Sequence, residues 1–218
     1  MSVADFKPTR TRVKFCGLTR EQDVDAAVAA GADALGFVLW PGSRRAIEVA
    51  RLAELTARVP AFVTRVGLFV DQEPALIRRC LAHLDLLQFH GDEAPDVCQS
   101  FGHPWIKALR MREGLDLHAL AAAYSGASGI LLDAYRPGVP GGTGERFDWS
   151  RIPASLTKPV ILAGGLSQAN VARAIVGVRP FAVDVSGGIE TSPGVKDDSL
   201  MSAFLQAVRQ GDETPAMR

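Results

Sequence analysis

Residues 158–188 read KPVILAGGLSQANVARAIVGVRPFAVDVSGG, and this stretch decides the fold. The apolar run KPVILAG (158–164) is short and leads into the glycine pair Gly164–Gly165. A helical pattern runs from Ser167 to Val176, and the chain then returns as FAVDVSG (181–187), closing on Ser186, Gly187 and Gly188. Two near-continuous apolar runs with a helix between them read as parallel strands covered on both faces. The crossover is right-handed, so the helix lies outside the sheet. Glycines after such strands either make tight turns or let backbone N–H groups approach an anion, aided by the dipole of the next helix.

The same unit repeats upstream. VKFC (13–16) precedes a helical stretch from Arg20 to Ala30, and ALGFVL (34–39) precedes one from Ile47 to Arg58. FVTRVGLFV (62–70) leads to a helix from Glu73 to Ala82, and LDLLQFH (84–90) to one near Ala94–Ser100. PWIKALR (104–110) leads to a helix at Leu115–Ala123, and GILLDA (129–134) to a long loop. A final helix is expected from Val195 to Gln210. Eight strand candidates alternating with helices predict a closed (β/α)8, or TIM, barrel. The competing open doubly wound sheet lacks its GxGxxG fingerprint, since the first strand is followed by CGLTRE. The irregular sixth crossover, Ala134 to Asp148, is too rich in glycine and proline for a normal helix. A connection of that kind is expected on the functional rim.

Barrel sites form at the carboxyl ends of strands. Here those ends carry Cys16, then Arg44 and Arg45, then Gln88 and His90, then Asp133, and last Asp184 with Ser186. A thiol, carboxylic acids, basic groups and two glycine turns therefore converge on one rim. An arginine fork suits a ligand carboxylate. Lys14 shares a strand face with Cys16, and it either favours the thiolate or pairs with Asp184. Cys80 and Cys98 fall within helix patterns and read as packing residues.

Composition narrows the class. Lys plus Arg equals Asp plus Glu at 24 each, which gives no support to a nucleic-acid partner. The three cysteines form neither a disulfide framework nor a CxxC metal site and fit a reducing compartment. The first residues lack the apolar core of a secretory signal, and no run is long enough for a bilayer span. A cytoplasmic protein without a membrane partner is expected. The expected organisation is an N-terminal extension (1–11), a barrel (12–210) and a flexible tail (211–218).

The pieces KFCG, GFVLWPGSRR, VGLFV, LLQFHG, ILLDA, GGTGERFDW, ILAGGL and VDVSGGIE occur in that order. Together they resemble the phosphoribosylanthranilate isomerases of tryptophan biosynthesis over nearly the whole chain. The resemblance implies an Amadori rearrangement of a small phosphoribosyl substrate, with neither cofactor nor metal, in a monomer or homodimer. It implies Cys16 as catalytic base and Asp133 as catalytic acid, with Gly164, Gly165, Ser186 and Gly187 at the phosphate. Arg45, in a P-x-S-x-R pattern, is implied as a substrate contact; Gln88, His90 and Asp184, read from the strand ends, are expected to contact substrate as well. One departure is DVSGG, where many relatives carry DVSSG, so a second hydroxyl is lost at Gly187. The related histidine-pathway isomerase is disfavoured, because it would be expected to carry an acid in place of Cys16 and a second phosphate site after the third strand.

Overall fold

The computed structural model describes residues 9–134 and 148–215. Eight parallel strands close into a barrel in chain order. They are β1 (Arg12–Cys16), β2 (Ala34–Val38), β3 (Thr64–Phe69), β4 (Leu86–Phe89), β5 (Trp105–Met111), β6 (Ile130–Ala134), β7 (Val160–Leu162) and β8 (Ala182–Val185), and β8 pairs back onto β1. Around them lie α1 (Glu21–Ala30), α2 (Val49–Thr56), α3 (Pro74–Cys80), α4 (Pro95–Gln99), α5 (Leu117–Ala123), α6 (Val171–Val178) and α7 (Asp198–Glu213). The expected (β/α)8 barrel is the observed fold.

Alternation along β1 shows how the strands are used. The Phe15 ring meets Phe204 of α7 edge-on at 6.2 Å, so Phe15 faces the helices and its neighbours Lys14 and Cys16 face the barrel axis. Phe37, Phe69 and Phe89 occupy the same outer layer and are fully buried. Each such ring contributes roughly 1.5–3 kcal/mol on burial. The axis is filled by smaller side chains, among them Ile106, Ala108, Leu131, Ile161, Ala163 and Ala182. A packed axis leaves the strand ends as the place for a ligand.

Several boundaries differ from the sequence reading. β3 starts at Thr64, because Phe62 has a left-handed φ of 71° and is fully exposed. α6 starts at Val171 rather than Ser167. Val195 belongs to a hairpin of β9 (Glu190–Ser192) and β10 (Val195–Lys196), not to the last helix. That helix starts after Asp197, whose side chain caps it by accepting from the Leu200 N–H at 3.0 Å. It runs three residues beyond Gln210, to Glu213. Asp212, expected in a flexible tail, instead accepts from Thr11 N at 2.9 Å and from Thr11 Oγ1 at 2.6 Å. In the sixth crossover the 3₁₀ turn Trp149–Arg151 is described; the loop expected over the rim, from residue 135 to 147, lies outside the described residues. No helix among the described residues is long and apolar enough to cross a membrane.

Candidate active site

Cys16 ends β1 facing the axis, and β2 makes room for it. Gly36 is its register partner, and a Cβ there would stand 2.9 Å from both Cys16 Sγ and Lys14 Nζ. Only a hydrogen fits. Lys14 Nζ lies 2.9 Å from Asp184 Oδ1 in a buried ion pair, and the same ammonium faces the thiol. The pairing of Lys14 with Asp184 is thus observed. Burial pushes the Cys16 thiol up and the Asp184 charge adds to this, while Lys14 and, less strongly, Lys196 pull it down; the balance stays above the ordinary value.

Asp133 is the penultimate residue of β6, with its side chain buried. Its Oδ1 accepts from the Ala134 N–H at 2.8 Å, and its Oδ2 lies 3.2 Å from His90 Nε2. Gln88 Nε2 sits 3.1 Å from His90 Nδ1, and Arg110 donates to the His90 carbonyl at 3.1 Å. His90 and Asp133 line the rim cavity, whereas Gln88 does not. Gln88 is fully buried, with its amide against the His90 ring.

Two loops form a backbone cradle between these groups. Gly164 and Gly165 adopt φ of 82° and 60°, which glycine reaches without a Cβ clash. A Cβ on Gly164 would meet Ala134 N at 2.5 Å, and one on Gly188 would meet the Leu166 carbonyl oxygen at 2.1 Å. Asn170 fixes the first loop by accepting from Ser167 N at 2.9 Å and donating to Gly165 O at 2.8 Å. Gly187 differs from Gly188: a Cβ there would meet Arg45 Nη2 only at 3.5 Å, so a serine has room.

Arg45 reaches the site across Gly17, whose missing side chain leaves space for the Arg45 stem. Its Nε and Nη2 donate to Glu190 Oε1 and Oε2 at 2.8 and 2.6 Å. Lys196 Nζ donates to Glu190 Oε1 at 2.7 Å, to Cys16 O at 2.6 Å and to Ser186 O at 3.1 Å. Burial opposes the Glu190 charge, yet Arg45 and Lys196 hold its carboxyl below its ordinary value. Arg44, by contrast, is exposed. Trp40, Val38 and Leu68 form an apolar wall beside Cys16.

Cys16, Arg45, His90, Asp133, Asp184 and both glycine loops line one cavity of ≈ 490 Å³. That volume suits a small organic ligand. Sequence reasoning missed Glu190, Lys196 and the apolar role of Trp40. The signal available was the Ser192-Pro193-Gly194 turn, which marks a hairpin after β8.

The sequence model of the N-(5'-phosphoribosyl)anthranilate (PRA) isomerase family matches residues 13–207. A Chromohalobacter salexigens N-(5'-phosphoribosyl)anthranilate isomerase is 71% identical over 199 residues, 91% of this chain and 94% of the relative. The phosphoribosyl anthranilate isomerase of Thermotoga maritima superposes with a TM-score of 0.84 at 38% identity, covering 91% of this chain and 98% of that one. A further structure from T. maritima, of monomers generated from a dimeric form, gives 0.80 at 35% identity with the same coverage. A relative solved with reduced 1-(o-carboxyphenylamino)-1-deoxyribulose 5-phosphate gives 0.81 at 36% identity, again covering 91% and 98%.

Proposed function

The chain belongs to the N-(5'-phosphoribosyl)anthranilate isomerase family, and we propose that Cys16 and Asp133 carry its chemistry as base and acid. The reaction is the Amadori rearrangement of N-(5-phospho-β-D-ribosyl)anthranilate to 1-(2-carboxyphenylamino)-1-deoxy-D-ribulose 5-phosphate, an aldose–ketose isomerisation of L-tryptophan biosynthesis.

One observation carries the assignment: the strands bearing acid and base flank the glycine cradle. Going round the ring from β1, the next strands are β8, β7 and β6. A phosphate held by Gly164, Gly165, Ser186 and Gly187 therefore places its ribose between Cys16 and Asp133. The aromatic ring then lies toward Trp40 and Leu68 on the β2–β3 side, with its carboxylate at Arg45. Asp184 supports the site through Lys14, and His90 flanks Asp133.

Asp133 gives a proton to the ribose ring oxygen as the C1′–O bond breaks and the anilino lone pair forms C1′=N⁺. Cys16 then takes the C2′ proton; the electron pair closes C2′=C1′ and returns a lone pair to nitrogen. Protonation at C1′ and loss of the enol proton complete the ketone. The cationic iminium lowers the thiol pKa when the base is needed. Oxidation at C2′ and reduction at C1′ balance within the substrate, so the reaction calls for no redox cofactor, and the acid–base pair is expected to work without a metal.

We further place the enzyme in the cytoplasm as a monomer or homodimer, with residues 12–213 as its folded unit. A T. maritima relative is described as dimeric, and the exposed Phe62 is an apolar contact available to a second copy. The test of function is turnover: freshly made phosphoribosylanthranilate should lose its anthranilate fluorescence on addition of the protein. Fluorescence that decays only at the rate of spontaneous hydrolysis contradicts the assignment.

A further inference from the structure

We propose that Glu190 is a positioning residue that sets the orientation of Arg45 and thereby the preference for a carboxylated aryl substrate. The inference rests on the reading above that Arg45 receives the anthranilate carboxylate.

A guanidinium offers two double-donor edges, one through Nε and one Nη, the other through both Nη groups. Glu190 occupies the first edge with both carboxylate oxygens, at 2.8 and 2.6 Å. Among the described residues Nη1 has no protein acceptor, so the second edge is left for a ligand, and Arg45 lines the cavity. The Glu190 side chain is itself fixed. It is only 4% exposed and accepts from Lys196 Nζ, whose side chain is fully buried, and from Gly194 N at 3.2 Å. The β9–β10 hairpin thus supplies a rigid carboxylate on which the arginine is set.

The charge pattern separates positioning from simple neutralisation. Arg45, Lys196 and Glu190 together carry one net positive charge. Removing the Glu190 charge would leave two, and an electrostatic role alone then predicts tighter binding of an anionic ligand. Loss of orientation predicts the opposite, because the freed guanidinium no longer holds its edge toward the cavity and the entropy of fixing it falls on binding.

The experiment compares two reduced product analogues, one with the ring carboxylate and one without it, by titration calorimetry on wild type, Glu190→Gln, Glu190→Asp and Arg45→Ala. Glu190→Gln is expected to lower the affinity ratio of carboxylated to decarboxylated analogue about tenfold, and to raise KM more than it lowers kcat. Glu190→Asp, which keeps the charge but withdraws the carboxylate by one methylene, is expected to fall between and provides the test should the glutamine variant not fold. An unchanged ratio, a tighter carboxylated analogue, or equal losses for both ligands overturns the inference. Arg45→Ala separates the two claims: a ratio unmoved by that change removes Arg45 from the carboxylate, whereas a ratio moved by Arg45→Ala but not by either Glu190 variant removes only Glu190.

Discussion

Cys16 works against its own surroundings. Burial raises its pKa above the ordinary thiol value, and Lys14 opposes that rise. A base acts when deprotonated, so the fraction of active thiolate in the free enzyme grows as pH climbs through the raised value. The expected kcat/KM therefore increases with pH on the alkaline side, and Lys14→Met moves that limb to still higher pH. Iodoacetamide alkylation of Cys16 in a Cys80→Ala, Cys98→Ala background reads the same titration directly; a midpoint below that of an ordinary free cysteine contradicts a raised thiol. Cys16→Ala should lower turnover by ~10²-fold or more. Cys80 and Cys98 are buried away from the cavity, so their alanine variants should keep turnover and lose only stability. The rim positions of Cys16 and Asp133 were legible in the sequence because each sits at or next to the end of an apolar strand, whereas their proposed roles came from the family resemblance. Glu190 was not: a lone glutamate after a glycine turn resembles any solvated charge until Arg45 and Lys196, distant in the chain, are seen to meet it.

At the scale of elements, the βα loops after β7 and β8 make the sharpest distinction between neighbouring glycines. Gly188→Ala drives a methyl into the Leu166 carbonyl oxygen, whereas Gly187→Ser enters open space toward Arg45. The first change should raise KM at least about tenfold, as expected when a 1 Å displacement misplaces a binding loop. The second should keep kcat/KM within a few fold; steady-state kinetics on the two variants decide it. A large loss in Gly187→Ser would mean that the chain's departure from DVSSG reflects a steric limit that the backbone does not show. Strands were the easiest elements to read, since burial on both faces makes them continuous apolar runs. Val195 and Lys196, the second strand of the β9–β10 hairpin, fall in the stretch expected to open α7. The turn chemistry of Ser192-Pro193-Gly194 folds them back as a strand instead.

Across the whole molecule, closure brings side chains from β1, β4, β6 and β8 and from the loop after β2 to one mouth, while another contact ties the residue before β1 to the end of α7. Thr11 and the end of α7 meet through Asp212. Asp212→Ala removes both bonds and should cost about 1–3 kcal/mol of stability, read as a lower urea midpoint with an unchanged m-value and normal turnover. An unchanged midpoint would return residues 211–213 to the role of a tail. The central claim is that one cavity holds an acid on β6 and a base on β1 either side of a phosphate cradle. Asp133→Asn tests it most directly, because the amide keeps its shape and hydrogen bonding but has no proton to give. The measurement is kcat together with the affinity for the reduced product analogue. Analogue binding should stay within about threefold of wild type and kcat should fall by ~10²-fold or more, a barrier raised by about 2.7 kcal/mol. A near-normal kcat in a folded Asp133→Asn enzyme would contradict that claim.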